Sequence, residues 1–136
     1  MRTYNVGLVR DAVSQVIEDF DAEEWLGATE NVALINELKD VAIFERFYEN
    51  QTAVFGHYFF KSRGRPAITA GKQFLKEIFT GPYDVQTVMG LTPVEHKAAL
   101  WMNRQLGFKE TGEILPHKWG DVKMVILTKE EWSNNQ

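Results

Sequence analysis

A chain of 136 residues and 15.7 kDa, 44% apolar and 25% charged, has the size and usage of one globular domain with its own core. It has no cysteine, which excludes thiol nucleophiles, disulfides and cysteine-ligated clusters, and no run nears the roughly eighteen apolar residues of a membrane span. A net charge of −4 argues against non-specific nucleic-acid binding, which needs a broad basic face. The charge is uneven: residues 1–40 carry nine acids against Arg2, Arg10 and Lys39, whereas residues 61–76 carry Lys61, Arg63, Arg65, Lys72 and Lys76 with no acid. Met1-Arg2-Thr3-Tyr4-Asn5 has no apolar signal core, so a soluble, unexported protein is expected.

Tyr4, Val6 and Leu8 alternate with Thr3, Asn5 and Gly7, which predicts an opening strand. Val9, Val13, Val16, Ile17 and Phe20 follow at helical spacing, and Asp21 with Glu24 three residues later predicts a capped short helix ending at Gly27. Residues 31–38 are ambiguous, because Val32, Ile35 and Leu38 fit a helix while the short apolar run fits a strand. Val41–Tyr48 and Ala53–Phe60, separated by a polar Glu49-Asn50-Gln51-Thr52, predict an antiparallel pair. Pro66–Thr80 is the clearest helix, with proline in its first turn and Gly81-Pro82 beyond its end. After extended residues 83–90, Thr92-Pro93-Val94-Glu95 reads as a capping box opening a helix that Gly107 closes. Phe108–Leu115 and Val122–Thr128 predict two last strands joined by residues 116–121. No repeat or linker divides the chain, so residues 1–136 are expected to form a single domain.

A helix that starts just after a strand and a basic loop aims unpaired N–H groups at the loop and suits phosphate. Lys61-Ser62-Arg63-Gly64-Arg65-Pro66-Ala67 occupies such a place, although Pro66 has no N–H to donate. His57, on the strand before that helix, has the residue type of a general base near neutral pH, against the alternative of a half-buried, satisfied histidine. His57, His96 and His117 lack ligand spacing, so no metal site is expected. Ser62 lacks a nucleophile-elbow context, and Glu45 and Glu49 are read as facing water. Trp25, Trp101, Trp119 and Trp132 are read as packing residues, with Trp119 at a predicted loop tip a candidate partner contact.

The element order, together with His96-Lys97-Ala98-Ala99, Leu106-Gly107-Phe108, Glu113, Gly120-Asp121 and Glu131-Trp132, resembles the GCN5-related N-acetyltransferase (GNAT) superfamily. The resemblance implies an α/β (α+β) fold, a mixed sheet of about seven strands with about four helices in the order β-α-α-β-β-β-α-β-α-β-β, and makes residues 31–38 a strand. It implies an acetyl-CoA site that places Arg63, Gly64, Arg65 and Ala67 in the pyrophosphate loop and His96 at the start of the penultimate helix. In that register Pro66 and Ile68 replace two small residues, the proline removing an amide and the isoleucine crowding the approach. A shifted cradle at Ala70 and Gly71 is the alternative. Asn103 stands where the family commonly has the tyrosine that protonates the leaving thiolate, and asparagine cannot supply that proton.

Gly56-His57-Tyr58-Phe59-Phe60 running into Arg63-Gly64, with Ala70-Gly71-Lys72 and Ile78-Phe79, is similar to GNAT-like head or virion assembly proteins of short-tailed enterobacterial phages. That likeness implies a degenerate scaffold without bound cofactor, phage structural or assembly proteins as partners, and a place in the host cytoplasm or the virion; the GNAT resemblance adds that a homodimer through the last strands is common, though nothing in the sequence demands one. The alternative is a working acetyl-CoA-dependent N-acetyltransferase of unknown acceptor, with His57 as base.

Overall fold

A computed structural model describes residues 1–47, 50–117 and 120–135. In chain order it contains helices α1 (Val6–Val13) and α2 (Ala22–Gly27), then strands β1 (Val32–Ile35), β2 (Val41–Phe47) and β3 (Asn50–Phe59). Helix α3 (Arg65–Thr80), strand β4 (Thr87–Pro93), helix α4 (Lys97–Gln105), strands β5 (Lys109–Leu115) and β6 (Val122–Thr128), and helix α5 (Lys129–Asn134) follow. The strands form one sheet ordered β1-β2-β3-β4-β6-β5. All neighbours are antiparallel except β3 and β4, whose parallel pairing requires the long crossover that α3 provides.

Alternation along the strands builds two cores. Val32, Leu34, Ala42, Phe44 and Val54 pack toward Phe74, Leu75 and Ile78 of α3, while Ala33, Val41 and Ile43 pack toward Val9 and Val13 of α1 and Ala22 of α2. Burial on both faces explains why these strands read as near-continuous apolar runs. Residues 31–38, open to either reading from their own pattern, are extended at Val32–Ile35, as the resemblance implies.

Three local expectations give way to tertiary or capping effects. Residues 6–8 are helical: the Asn5 side chain accepts from the Leu8 N–H at 3.1 Å and caps α1, which already ends at Val13. The opening strand survives only as a single bridge of Arg2 to Leu34, which together with bonds from Thr3 to Ala33 and from Ile35 to Met1 covers the β1 edge. Thr92 and Pro93 belong to β4, where Pro93 pairs with Val122, so the helix expected there starts at Lys97 behind an N-cap at His96. The same signature does open a helix at Thr128, whose hydroxyl accepts from the Glu131 N–H. Against the expected seven strands and four helices, the described residues thus form six strands and five helices. Tyr48, Glu49 and Trp119, named above, lie outside the described residues.

Candidate active site

The parallel pair supplies the opening. β3 and β4 pair only at Ala53 with Thr87, Val54 with Val88 and Phe55 with Met89, although β3 runs on to Phe59 and β4 to Pro93. Past Phe55 the two backbones part, and a cavity of about 620 Å³ opens between them. Gly56 and Gly90 lie on its floor: a Cβ on Gly56 would come within 3.1 Å of Phe44, and one on Gly90 within 3.2 Å of Val125 and 3.8 Å of the Gly56 carbonyl oxygen. A Cβ at Gly56 would press into the core at Phe44 and Val88, whereas one at Gly90 would meet Val125, which itself lines the cavity. His57, Arg63, Gly64, Ala67, His96 and Asn103 all line the cavity; the Arg65 side chain does not.

At one end the cavity meets the loop before α3, and buried Asp40 holds that loop. Its carboxylate accepts from the Lys61 N–H at 2.7 Å, the Ser62 N–H at 2.9 Å, the Ser62 hydroxyl at 2.8 Å and the Asn36 amide at 3.0 Å. Burial pushes the Asp40 carboxyl up, but the hydrogen bonds from Ser62, Asn36 and Lys61 outweigh it and hold it below the usual carboxylate range. The Asn36 side chain in turn accepts from the Leu38 and Asp40 N–H groups, closing the turn that presents Asp40. Sequence reasoning missed this anchor; its only local sign is an Asn and an Asp bracketing a polar turn, since the groups it binds lie over twenty residues away.

The anchored loop delivers the amino end of α3. Gly64 is its N-cap at φ +64 with open space around its Cα, and the first intrahelical bond runs from Ile68 to Gly64. Among the described residues, the main-chain N–H groups of Gly64, Arg65 and Ala67 donate to no protein acceptor, which leaves a cradle beside Lys39, Lys61 and Arg63. The crowding expected from Pro66 and Ile68 is corrected by their placement. Ile68 packs on the core beneath α3, and the Pro66 ring lies with Arg65, Asn36 and Leu38 in a separate shallow pocket. Pro66 therefore costs the cradle one donor and no space. The shifted cradle fails too: Ala70 and Gly71 are buried, and a Cβ on Gly71 would sit 2.8 Å from Leu106, so this glycine serves the contact between α3 and Leu106 at the end of α4.

Arg63 donates to the Phe60 carbonyl at 2.7 Å and the Ser62 carbonyl at 3.0 Å, folded onto its own loop at the cavity edge. His57 lines the same cavity, as do Ala12, Gln15, Val16 and Ile17, and stands opposite Ile43 on the face of the sheet that α1 and α2 cover. Burial pushes its imidazole below the ordinary histidine value, while the Glu45 carboxylate pulls the other way. Asn103 donates to the Thr92 hydroxyl at 2.9 Å, tying α4 to the end of β4. His96 is exposed and makes no side-chain cap. Tyr58 stacks on Phe60 and meets Phe44 and Phe108 edge-on; its hydroxyl is buried without a partner among the described residues, and burial pushes its pKa up. Among the described residues no three metal-ligating side chains cluster, and no helix is long and apolar enough to cross a membrane.

Parallel strands that part over a cavity, with a crossover helix starting at its rim, match a known architecture. The chain has the GNAT acetyltransferase fold. It is similar to the dodecameric spermidine N-acetyltransferase of Vibrio cholerae, with 13% identity and a TM-score of 0.74 over 96% of this chain and 92% of that one. AAC(6')-Ib in complex with paromomycin and acetyl-CoA aligns at 13% identity and a TM-score of 0.70, over 100% of this chain and 94% of that chain. A GNAT-family acetyltransferase of Bacillus anthracis aligns at 14% identity and 0.61, over 90% and 82%. No family model and no curated protein matches the sequence. Nothing in these likenesses to acetyltransferases favours virion assembly.

Proposed function

We propose that the protein is an acetyl-CoA-dependent N-acetyltransferase. The observation that carries this reading is the coincidence of the β3–β4 gap with the uncommitted amides of Gly64 and Ala67, which line the same cavity, and of Arg65 between them. The residues present fit the group. Those amides, with Lys39, Lys61 and Arg63, hold the pyrophosphate, and the parting of β3 and β4 past Phe55 leaves room for the extended arm. Acetyl-CoA supplies an acyl thioester, whose C–S bond breaks as the amine nitrogen bonds to its carbonyl carbon. His57 takes the proton that the attacking amine must lose, and its depressed pKa keeps it unprotonated and ready near neutral pH. Asn103 positions β4 through Thr92 and gives no proton to the thiolate.

Calorimetric and thermal-shift titration with acetyl-CoA tests this. Binding to the folded state alone at a hundred times the dissociation constant adds about 2.7 kcal/mol of stability. Saturable 1:1 heat with a matching rise in melting temperature is expected. A flat titration at millimolar coenzyme overturns the reading and leaves a scaffold that has lost its coenzyme.

A further inference from the structure

His57 is a handicapped base where it stands. Burial disfavours its protonated form, so the proton it takes from an amine is poorly accommodated unless a negative charge lies close. Resting on the reading of His57 as proton acceptor, we propose that Glu45 is its positioning residue, held by the Trp25 indole, so that a Trp25–Glu45–His57 series backs the amine end of the cavity.

The register makes the neighbourhood. Ile43 is opposite His57 and Glu45 opposite Phe55 in the antiparallel β2–β3 pair, which puts Glu45 and His57 diagonally adjacent on one face of the sheet. That face is the one covered by α1 and α2. Glu45 does not line the cavity; it stands behind His57 and accepts from the Trp25 indole N–H at 2.6 Å. A bond this short to a carboxylate is charge-assisted and fixes the carboxylate in place. Trp25 is itself fixed, by Phe20 at a ring separation of 6.0 Å and by α2, which Asp21 caps through the Glu24 N–H.

Among the described residues that line the cavity, no carboxylate is so placed. From α1 and the turn after it, the residues that line the cavity with His57 are Ala12, Gln15, Val16 and Ile17, all uncharged. The remaining charged or titratable lining groups, Lys39, Tyr58, Lys61, Arg63 and His96, include no carboxylate, and Glu45 is the charge that acts on His57. Lys61 and Arg63 sit by the α3 end, where they face the phosphates. Glu45 thus stabilises the imidazolium once His57 has taken the proton, and the Trp25 indole holds the carboxylate in place.

The test is an NMR titration of the three histidine rings in the protein without coenzyme, with His57 assigned through His57→Gln and with His96 and His117 as internal references. In Glu45→Gln the His57 midpoint is expected to fall by roughly half a unit to one unit, and in Trp25→Phe by less, with the other two rings unmoved. The rising limb of the kcat/KM–pH profile should move to lower pH by the same amount, with a lower plateau. An unchanged His57 midpoint in Glu45→Gln overturns the proposal; should that variant not fold, an unchanged midpoint in Trp25→Phe does so. Because the titration needs no coenzyme, its failure is separable from a failure of acetyl-CoA to bind, which sinks the acetyltransferase reading alone.

Discussion

At the α3 end of the cavity the chain is tied by hydrogen bonds to one buried carboxylate, whereas around His57 it is walled by the uncharged side chains of Ala12, Gln15, Val16 and Ile17. The first end is polar, basic and pinned: four donors converge on Asp40, and the N–H groups left over belong to the helix start. The second carries His57, with Glu45, held by the Trp25 indole, on the same face of the sheet. The contrast suits two kinds of ligand group. Phosphate oxygens want fixed donors in a fixed place, while an amine that must lose a proton wants a base whose pKa its surroundings set.

Breaking the pinned end should have the largest effect. Asp40→Ala strands the Lys61 and Ser62 N–H groups in a buried site and should cost about 3–5 kcal/mol, on the scale of a broken buried charge network, measured by urea unfolding. Because the folded-state pKa of Asp40 is depressed, its contribution is complete above the ordinary carboxyl range and is lost as pH falls through the folded value. Asp40→Asn should therefore flatten the loss of stability between roughly pH 5 and pH 3, and an unchanged slope would show that Asp40 does not carry that charge linkage.

A smaller effect is expected where α3 meets the end of α4. Gly71→Ala drives a methyl into Leu106 and should cost about 1–3 kcal/mol in unfolding, with acetyl-CoA affinity little changed at temperatures where the variant is folded. Loss of binding without loss of stability would instead restore Gly71 as part of a cradle.

Sharpest for the pinned end is a pair of changes at the start of α3, of which Pro66→Gly is the smaller in stability, since Ile68→Gly removes a side chain packed on the core. Pro66→Gly restores an N–H to the cradle and should tighten acetyl-CoA roughly tenfold, the size of one charge-assisted hydrogen bond, while costing about 0.4–1 kcal/mol of stability through the looser unfolded chain. Ile68→Gly should bring no gain in affinity, because its side chain packs on the core and away from the cavity. A gain from Ile68→Gly would put the isoleucine back in the phosphate path.

The site was partly legible. A basic loop before a proline-started helix marks the α3 end in sequence because helix starts are local events, and His57 stands out by residue type. Asp40 does not, since its meaning depends on Lys61 and Ser62, and neither does the packing role of Gly71, which depends on Leu106. Thr92-Pro93-Val94-Glu95 and Thr128-Lys129-Glu130-Glu131 carry the same helix-start signature, yet only the second opens a helix at its threonine. The difference is that Thr92 and Pro93 are claimed by a seven-pair ladder running from Thr87–Thr128 to Pro93–Val122, while Thr128 is the last residue of that ladder.

By itself the sequence determined what short-range physics controls: the capped α2, the amphipathic α3, the β2–β3 pair and the glycine stop at Gly107. Tertiary structure alone decided which way Pro66 and Ile68 face, where β3 and β4 part, and that Asp40 and Glu45 stand behind the two ends of the cavity. Each of those facts is a relation between residues distant in the chain, and side-chain period and capping chemistry reach only a few residues along it.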